Sequence, residues 1–182
     1  SGPWQVLTPW PNAWWNLNVQ LSYWSVYPSN RLELGMPLVD AIGNNLDNLI
    51  NNVPEPYRKD AAALPVATDF TLTGATVNVP GTEKKAQVGN LTWICHNLWL
   101  QYRFSMDESI LRNTLYPTLR RAVNFYLPFL TEDKSGKLHL KRTYSPEYGT
   151  AEDCNYDIAL LRWGCNTLLE ASRILSVDDE LI

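Results

Sequence analysis

The sequence predicts an all-α protein. Apolar residues recur at three- and four-residue spacing through most of the chain, proline closes several of these stretches, and no set of alternating segments is large enough for a sheet. Helices in hairpin succession fit a bundle, a solenoid or a piece of an α/α toroid, and periodicity does not separate these. No internal repeat favours the solenoid.

The first helix is expected over 15–27, where Leu17, Leu21 and Trp24 share a face and Pro28 disfavours helix in the residue before it. A second runs over about 35–52 with Leu38, Ile42, Leu46, Leu49 and Ile50 on one side, and a short third covers 57–64. From Pro65 to Asn90 the period disappears into Thr, Val, Gly and Pro, which reads as an excursion containing a short hairpin. Such long loops often hold binding residues, the alternative being a plain surface insertion. Helix resumes over 92–104, with large apolar groups on several faces, as a helix packed on two sides requires. Ser105-Met-Asp-Glu caps the next helix, which carries Ile110, Leu111, Leu115, Leu119, Val123 and Leu127, with Pro117 and Pro128 starting or kinking its turns. An extended segment follows over 138–144, and a last helix over 156–175.

At 182 residues, 45% hydrophobic and 19% charged, residues 1–182 form one domain or part of one. The net charge is −4 and the longest basic run is Lys84-Lys85, so no nucleic-acid partner is expected. No stretch approaches the roughly 18–20 apolar residues of a membrane-spanning helix, and the N-terminus lacks a signal-peptide layout. Both ends read as boundaries within a longer chain, which leaves an export signal elsewhere open. Cys95, Cys154 and Cys165 lack CxxC spacing and read as small apolar core groups, and His96 and His139 are too few for a histidine metal site or a Ser/His/Asp triad. Neither metal nor cofactor is expected.

Two clusters could do chemistry. The N-terminal one interleaves Trp10, Trp14, Trp15, Tyr23 and Trp24 with Asn12, Asn16, Asn18 and Gln20. Sugar C–H faces stack on aromatic rings while hydroxyls match amides that both donate and accept, although such aromatics also serve as plain core. Asn16 and Asn18 project about 200° apart on a helix, so both face one cavity only near a helix start, where Asn16 could equally be the N-cap. The second cluster is Thr143-Tyr-Ser-Pro-Glu-Tyr-Gly, a loop with one carboxylate, Glu147. If Tyr144 and Tyr148 enclose it, desolvation raises its pKa, as a general acid needs near neutral pH; otherwise it is a solvated loop glutamate.

Three ordered patterns resemble glycoside hydrolase family 95, the α-L-fucosidases and relatives built on an (α/α)6 toroid. Asn16-Leu-Asn-Val-Gln-Leu-Ser-Tyr-Trp is similar to the family's Asn-x-Asn-x-Gln-x-Asn-Tyr-Trp segment. Trp93-Ile-Cys-His-Asn-Leu-Trp-Leu-Gln-Tyr-Arg-Phe is similar to its Trp-hydrophobic-Cys helix, and Ser145-Pro-Glu to its acid loop. The resemblance implies an inverting hydrolysis in which Glu147 protonates the leaving oxygen and Asn16 and Asn18 hold the attacking water, with Trp14, Trp15, Trp24, Tyr144 and Tyr148 around a carbohydrate substrate. It further implies that an aspartate from a later part of the toroid polarises the amides. This chain would then be roughly half a toroid, inactive alone, whose partners are the remaining part of the catalytic domain or further copies of itself. A periplasmic or secreted parent is expected.

The chain departs from the family at Trp14, where a histidine is common, at Ser22, where an asparagine stands, and over 68–90, which replaces a His-His-Asn-Thr-Asp-like substrate loop. The reaction type therefore carries over more directly than the sugar. The competing classes are a non-catalytic glycan-binding module, with its aromatics on an open platform and Glu147 elsewhere, and an all-α interaction domain.

Overall fold

The computed structural model describes residues 12–180. Trp10 of the aromatic cluster lies outside the described residues. Helices dominate, as the periodicity predicts, and among the described residues the strands form three separate two-stranded ribbons.

Helix α1 (Asn18–Trp24) is shorter than expected because 15–17 form a turn and the chain unwinds ahead of Pro28. The expected 35–52 helix is two, α2 (Met36–Asn44) and α3 (Leu46–Asn51). Asn45 breaks it at φ −122°, ψ 24°, its side-chain amide donating to the Ala41 carbonyl at 2.8 Å. Short polar side chains compete for backbone groups in this way. In place of the third helix, a 3-10 stretch (Glu55–Asp60) leads into a buried, non-helical Ala61–Leu64.

The excursion is no surface insertion, since Leu72, Val77, Ala86 and Val88 are core residues. Nor does it hold the expected hairpin. Strand β2 (Ala67–Thr68) pairs instead with β1 (Ala13–Trp14), and within the excursion the β pairing is one isolated bridge, Thr68 to Gly74, next to Asp69 N–H donating to the Thr73 carbonyl at 3.1 Å. Buried Asn52 organises it, donating to the Leu72 carbonyl at 2.9 Å and accepting from the Gly74 N–H at 3.3 Å. The backbone closes the arrangement with Val77 N–H donating to the Asn52 carbonyl.

Helix α4 (Asn90–Ser105) is the centre, packed against α1 and against α5 (Glu108–Ile110), α6 (Tyr116–Tyr126) and α7 (Asn155–Leu175). Leu91, Ile94, Cys95 and Leu98 are wholly buried, each leucine or isoleucine contributing about 1.5–3 kcal/mol. The two-sided packing read from its apolar faces is present. Asp107, not Ser105, caps α5 by accepting from Ser109 N–H at 2.9 Å. A π turn (Leu111–Leu115) joins α5 to α6 just ahead of Pro117, whose ring would clash with the carbonyl four residues back in a regular helix. Gly164 lets α7 lie close: a Cβ there would meet Val123 at 2.9 Å.

After α6, strands β3 (Leu130–Glu132) and β4 (Leu138–Leu140) pair, then β5 (Thr143–Ser145) and β6 (Gly149–Ala151). The one expected extended segment is thus shared between two hairpins. No helix among the described residues is long and apolar enough to cross a membrane. All three cysteines are free, Cys95 and Cys154 buried and Cys165 exposed.

Candidate active site

Two places carry the chemistry that the sequence singles out. The first is the tip of the β5–β6 hairpin. Ser145 opposes Gly149, leaving Pro146, Glu147 and Tyr148 as the loop, closed by Tyr148 N–H donating to the Ser145 carbonyl at 3.2 Å. Glu147 takes the left-handed conformation, φ +62°, that three-residue hairpin loops commonly require of one residue. That backbone throws the loop side chains outward: Glu147 is exposed and Tyr148 is 94% exposed. Tyr144 is half-buried, with the Lys85 ammonium 4.8 Å over its ring. The enclosure of Glu147 by Tyr144 and Tyr148 is therefore not formed.

The second place is the start of α1. Trp15 is pinned from both ends, its backbone N–H donating to the Val66 carbonyl at 2.8 Å and its indole N–H to Thr68 Oγ1 at 2.8 Å. Gln20 donates to the Trp15 carbonyl, and Asn97 of α4 donates to the Gln20 carbonyl at 3.0 Å. Asn16 is buried in the turn and Asn18, exposed, is the first residue of α1. The residue flanking the helix is Leu17, with no side-chain cap hydrogen bond, so Asn16 is not the N-cap. Placing one asparagine in the turn and the other on the first helical residue removes the 200° separation of a continuous helix.

Asn18 lines a pocket of about 550 Å³ with Asn12, Ser22 and Tyr23 on its polar side and Val19, Pro37, Leu38 and Phe70 among its apolar walls. Trp15 reaches this pocket as a buried wall, its one side-chain donor already hydrogen-bonded to Thr68. Trp14, in β1, and Trp24, exposed at the end of α1, are not among its lining residues. Phe70, which the sequence reading passed over, is 99% exposed on a turn where the Asp69 carboxylate accepts from Thr71 and Thr73 N–H at 2.9 and 3.0 Å. The Thr71 hydroxyl, donating to the same carboxylate at 2.8 Å, together with those two bonds holds Asp69 below the usual carboxylate range. An Asp followed by threonines at that spacing was the available signal for a rigid turn.

The excursion joins the two places. Its Val66 carbonyl holds the segment that leads to Asn16, and its Ala86 carbonyl accepts from Tyr144 N–H at 2.9 Å, holding the strand that leads to Glu147. A pocket of about 360 Å³ lies along the hairpin, lined by Ser145, Tyr148, Asp153, Cys154 and Tyr156 among others. Among the described residues it shares none with the pocket of Asn18, and Glu147 lines neither.

Residues 2–182 match the glycosyl hydrolase family 95 catalytic domain. The chain is 26% identical to alpha-L-fucosidase 2 of Arabidopsis thaliana over 97% of its own length and 22% of that protein. It is 25% identical to a probable alpha-fucosidase A of Aspergillus niger over 74% of its length and 17% of that protein. The chain thus spans about a fifth of the length of the curated relatives it matches.

Proposed function

Because the chain belongs to the glycosyl hydrolase family 95 catalytic domains, we propose that it contributes one face of the active site of an inverting, α-L-fucosidase-like glycoside hydrolase acting on an oligo- or polysaccharide. Glu147 donates the proton to the departing glycosidic oxygen, and the amides of Asn16 and Asn18 hold the water that attacks the anomeric carbon. The observation that supports this most is the shared anchoring: one excursion with its anchors in the core holds Trp15, next to Asn16, and Tyr144, in the strand that leads to Glu147. Both groups are then kept in a fixed relation, as proton donation and water attack on one bond demand. Tyr23 and Phe70 offer ring faces to a pyranose beside Asn18.

Two neutral amides are feeble bases. A carboxylate from the remaining part of the catalytic domain polarises them, and the same part encloses Glu147, which is exposed in this chain. The helices then belong to an (α/α)6 toroid, and the chain alone is inactive.

One observation favours a second reading. Exposed Phe70 and a Glu147 away from the pocket of Asn18 also suit a non-catalytic glycan-binding module. The experiment is Glu147→Gln in the completed catalytic domain, assayed on alkyl and 4-nitrophenyl α-L-fucosides. Turnover on the alkyl glycoside should fall about 10²–10⁴-fold and far less on the aryl one, whose leaving group needs no proton. Equal losses refute the acid role. Sugar binding without turnover, weakened by Phe70→Ala, is the outcome of the binding module.

A further inference from the structure

The described residues include a fully buried carboxylate that neither the acid nor the amides use. Asp157 sits in the first turn of α7, where the helix dipole favours an anion. The Tyr126 phenol of α6 donates to its Oδ1 at 2.9 Å. Thr143, equally buried, lies on a strand that packs against α7; its hydroxyl is near enough to favour the charged carboxyl, yet Thr143 Oγ1 and Asp157 Oδ2 are both buried without a regular hydrogen bond. A further polar layer lies alongside, where Tyr156 donates to Asn90 Oδ1 at 3.4 Å and Asn90 donates to the Leu64 carbonyl at 3.2 Å.

Burying a carboxylate costs several kcal/mol, and well-packed apolar residues commonly replace a buried charge without loss. Stability of the helical core therefore gives no reason for an acid at this position. Its connections do. Thr143 opens β5, the strand that runs directly into Ser145, Pro146 and Glu147, and strand alternation turns Thr143 toward the core while Tyr144 turns toward Lys85. The Asp157–Thr143 contact is where the hairpin meets α7.

We propose that Asp157 is a positioning residue for Glu147: the carboxyl on α7 holds Thr143, and with it the height and direction of the β5–β6 hairpin that presents the acid. The inference rests on the reading of Glu147 as proton donor. An exposed side chain on a three-residue loop has no packing of its own to locate it, so its precision comes from the base of its hairpin. Misplacing a catalytic group by about 1 Å costs on the order of 10²-fold in rate.

The test uses Thr143→Val, which keeps shape and removes the hydroxyl, together with Asp157→Leu and the conservative Asp157→Asn. In the 182-residue chain, Thr143→Val should speed amide hydrogen exchange in β5 and β6 by about fivefold or more, with β3 and β4 changed less than about twofold. In the completed catalytic domain, Thr143→Val and Asp157→Leu should cut turnover on the alkyl fucoside about 10–100-fold, spare the 4-nitrophenyl fucoside, and leave KM nearly unchanged. Asp157→Asn should restore most of the rate. A merely structural loss would lower both substrates together. Should Asp157→Leu fail to fold, Thr143→Val carries the test. Unchanged hairpin exchange, or equal losses on both substrates while Glu147→Gln remains selective, overturns the positioning role alone. A Glu147→Gln variant without leaving-group selectivity overturns the acid reading and this inference with it.

Discussion

Asp157 also makes a thermodynamic prediction. Burial pushes its pKa up to about 6 from an ordinary 3.8, against the lowering effect of the nearby Thr143 hydroxyl and of the hydrogen bond from Tyr126. A folded-state pKa above the unfolded one means that the native protein holds the extra proton between those values. Stability from this group is therefore fully present below about pH 3.8 and is lost as pH rises through about 6. The shift of about 2 units corresponds to roughly 3 kcal/mol at 1.36 kcal/mol per unit. Asp157→Asn mimics the neutral acid at every pH, so the stability of the variant minus that of the parent should rise by roughly 2–2.5 kcal/mol from pH 4 to pH 8, the rest of the shift lying below pH 4, whatever the constant offset. The His96, His139 and aspartate titrations occur in both proteins and cancel in the difference. Urea unfolding followed by far-UV circular dichroism at intervals across that range measures it. A difference that stays constant with pH would show that Asp157 does not take up the proton, and the desolvation argument would fail.

Two further outcomes are expected. Asn16→Ala and Asn18→Ala in the completed catalytic domain should lower turnover more than they raise KM, with unfolding midpoints of the isolated chain little changed; a stability loss of about 0.5–2 kcal/mol with activity intact would mean that these amides serve the fold and not the attacking water. Asn52→Ala should destabilise the isolated chain by about 2–4 kcal/mol in denaturant titration, because it leaves the Leu72 carbonyl and Gly74 N–H without their buried partner; a change below about 0.5 kcal/mol would mean that the excursion is held without it.

The residues by themselves determined the helical class, the central helix to within two residues at either end, the last helix to within one, and the family. Each of these is written in local spacing or in contiguous motifs, which need no knowledge of what lies across the molecule. Helix breaks were less legible: Asn45 divides α2 from α3 through a side-chain bond to its own backbone, which an apolar stripe spanning the break conceals. Only the tertiary structure decided that the Thr- and Val-rich excursion is core, since its anchors join Asn52 to Leu72, Trp15 to Thr68 and Tyr144 to Ala86. It also decided that Glu147 leaves the company of its neighbouring tyrosines, because a left-handed loop residue redirects side chains that sequence proximity would group. The buried acid at Asp157 had no signal in the chain: its partners stand on a different helix and a different strand, and burial is created by packing between elements rather than by the order of residues within one.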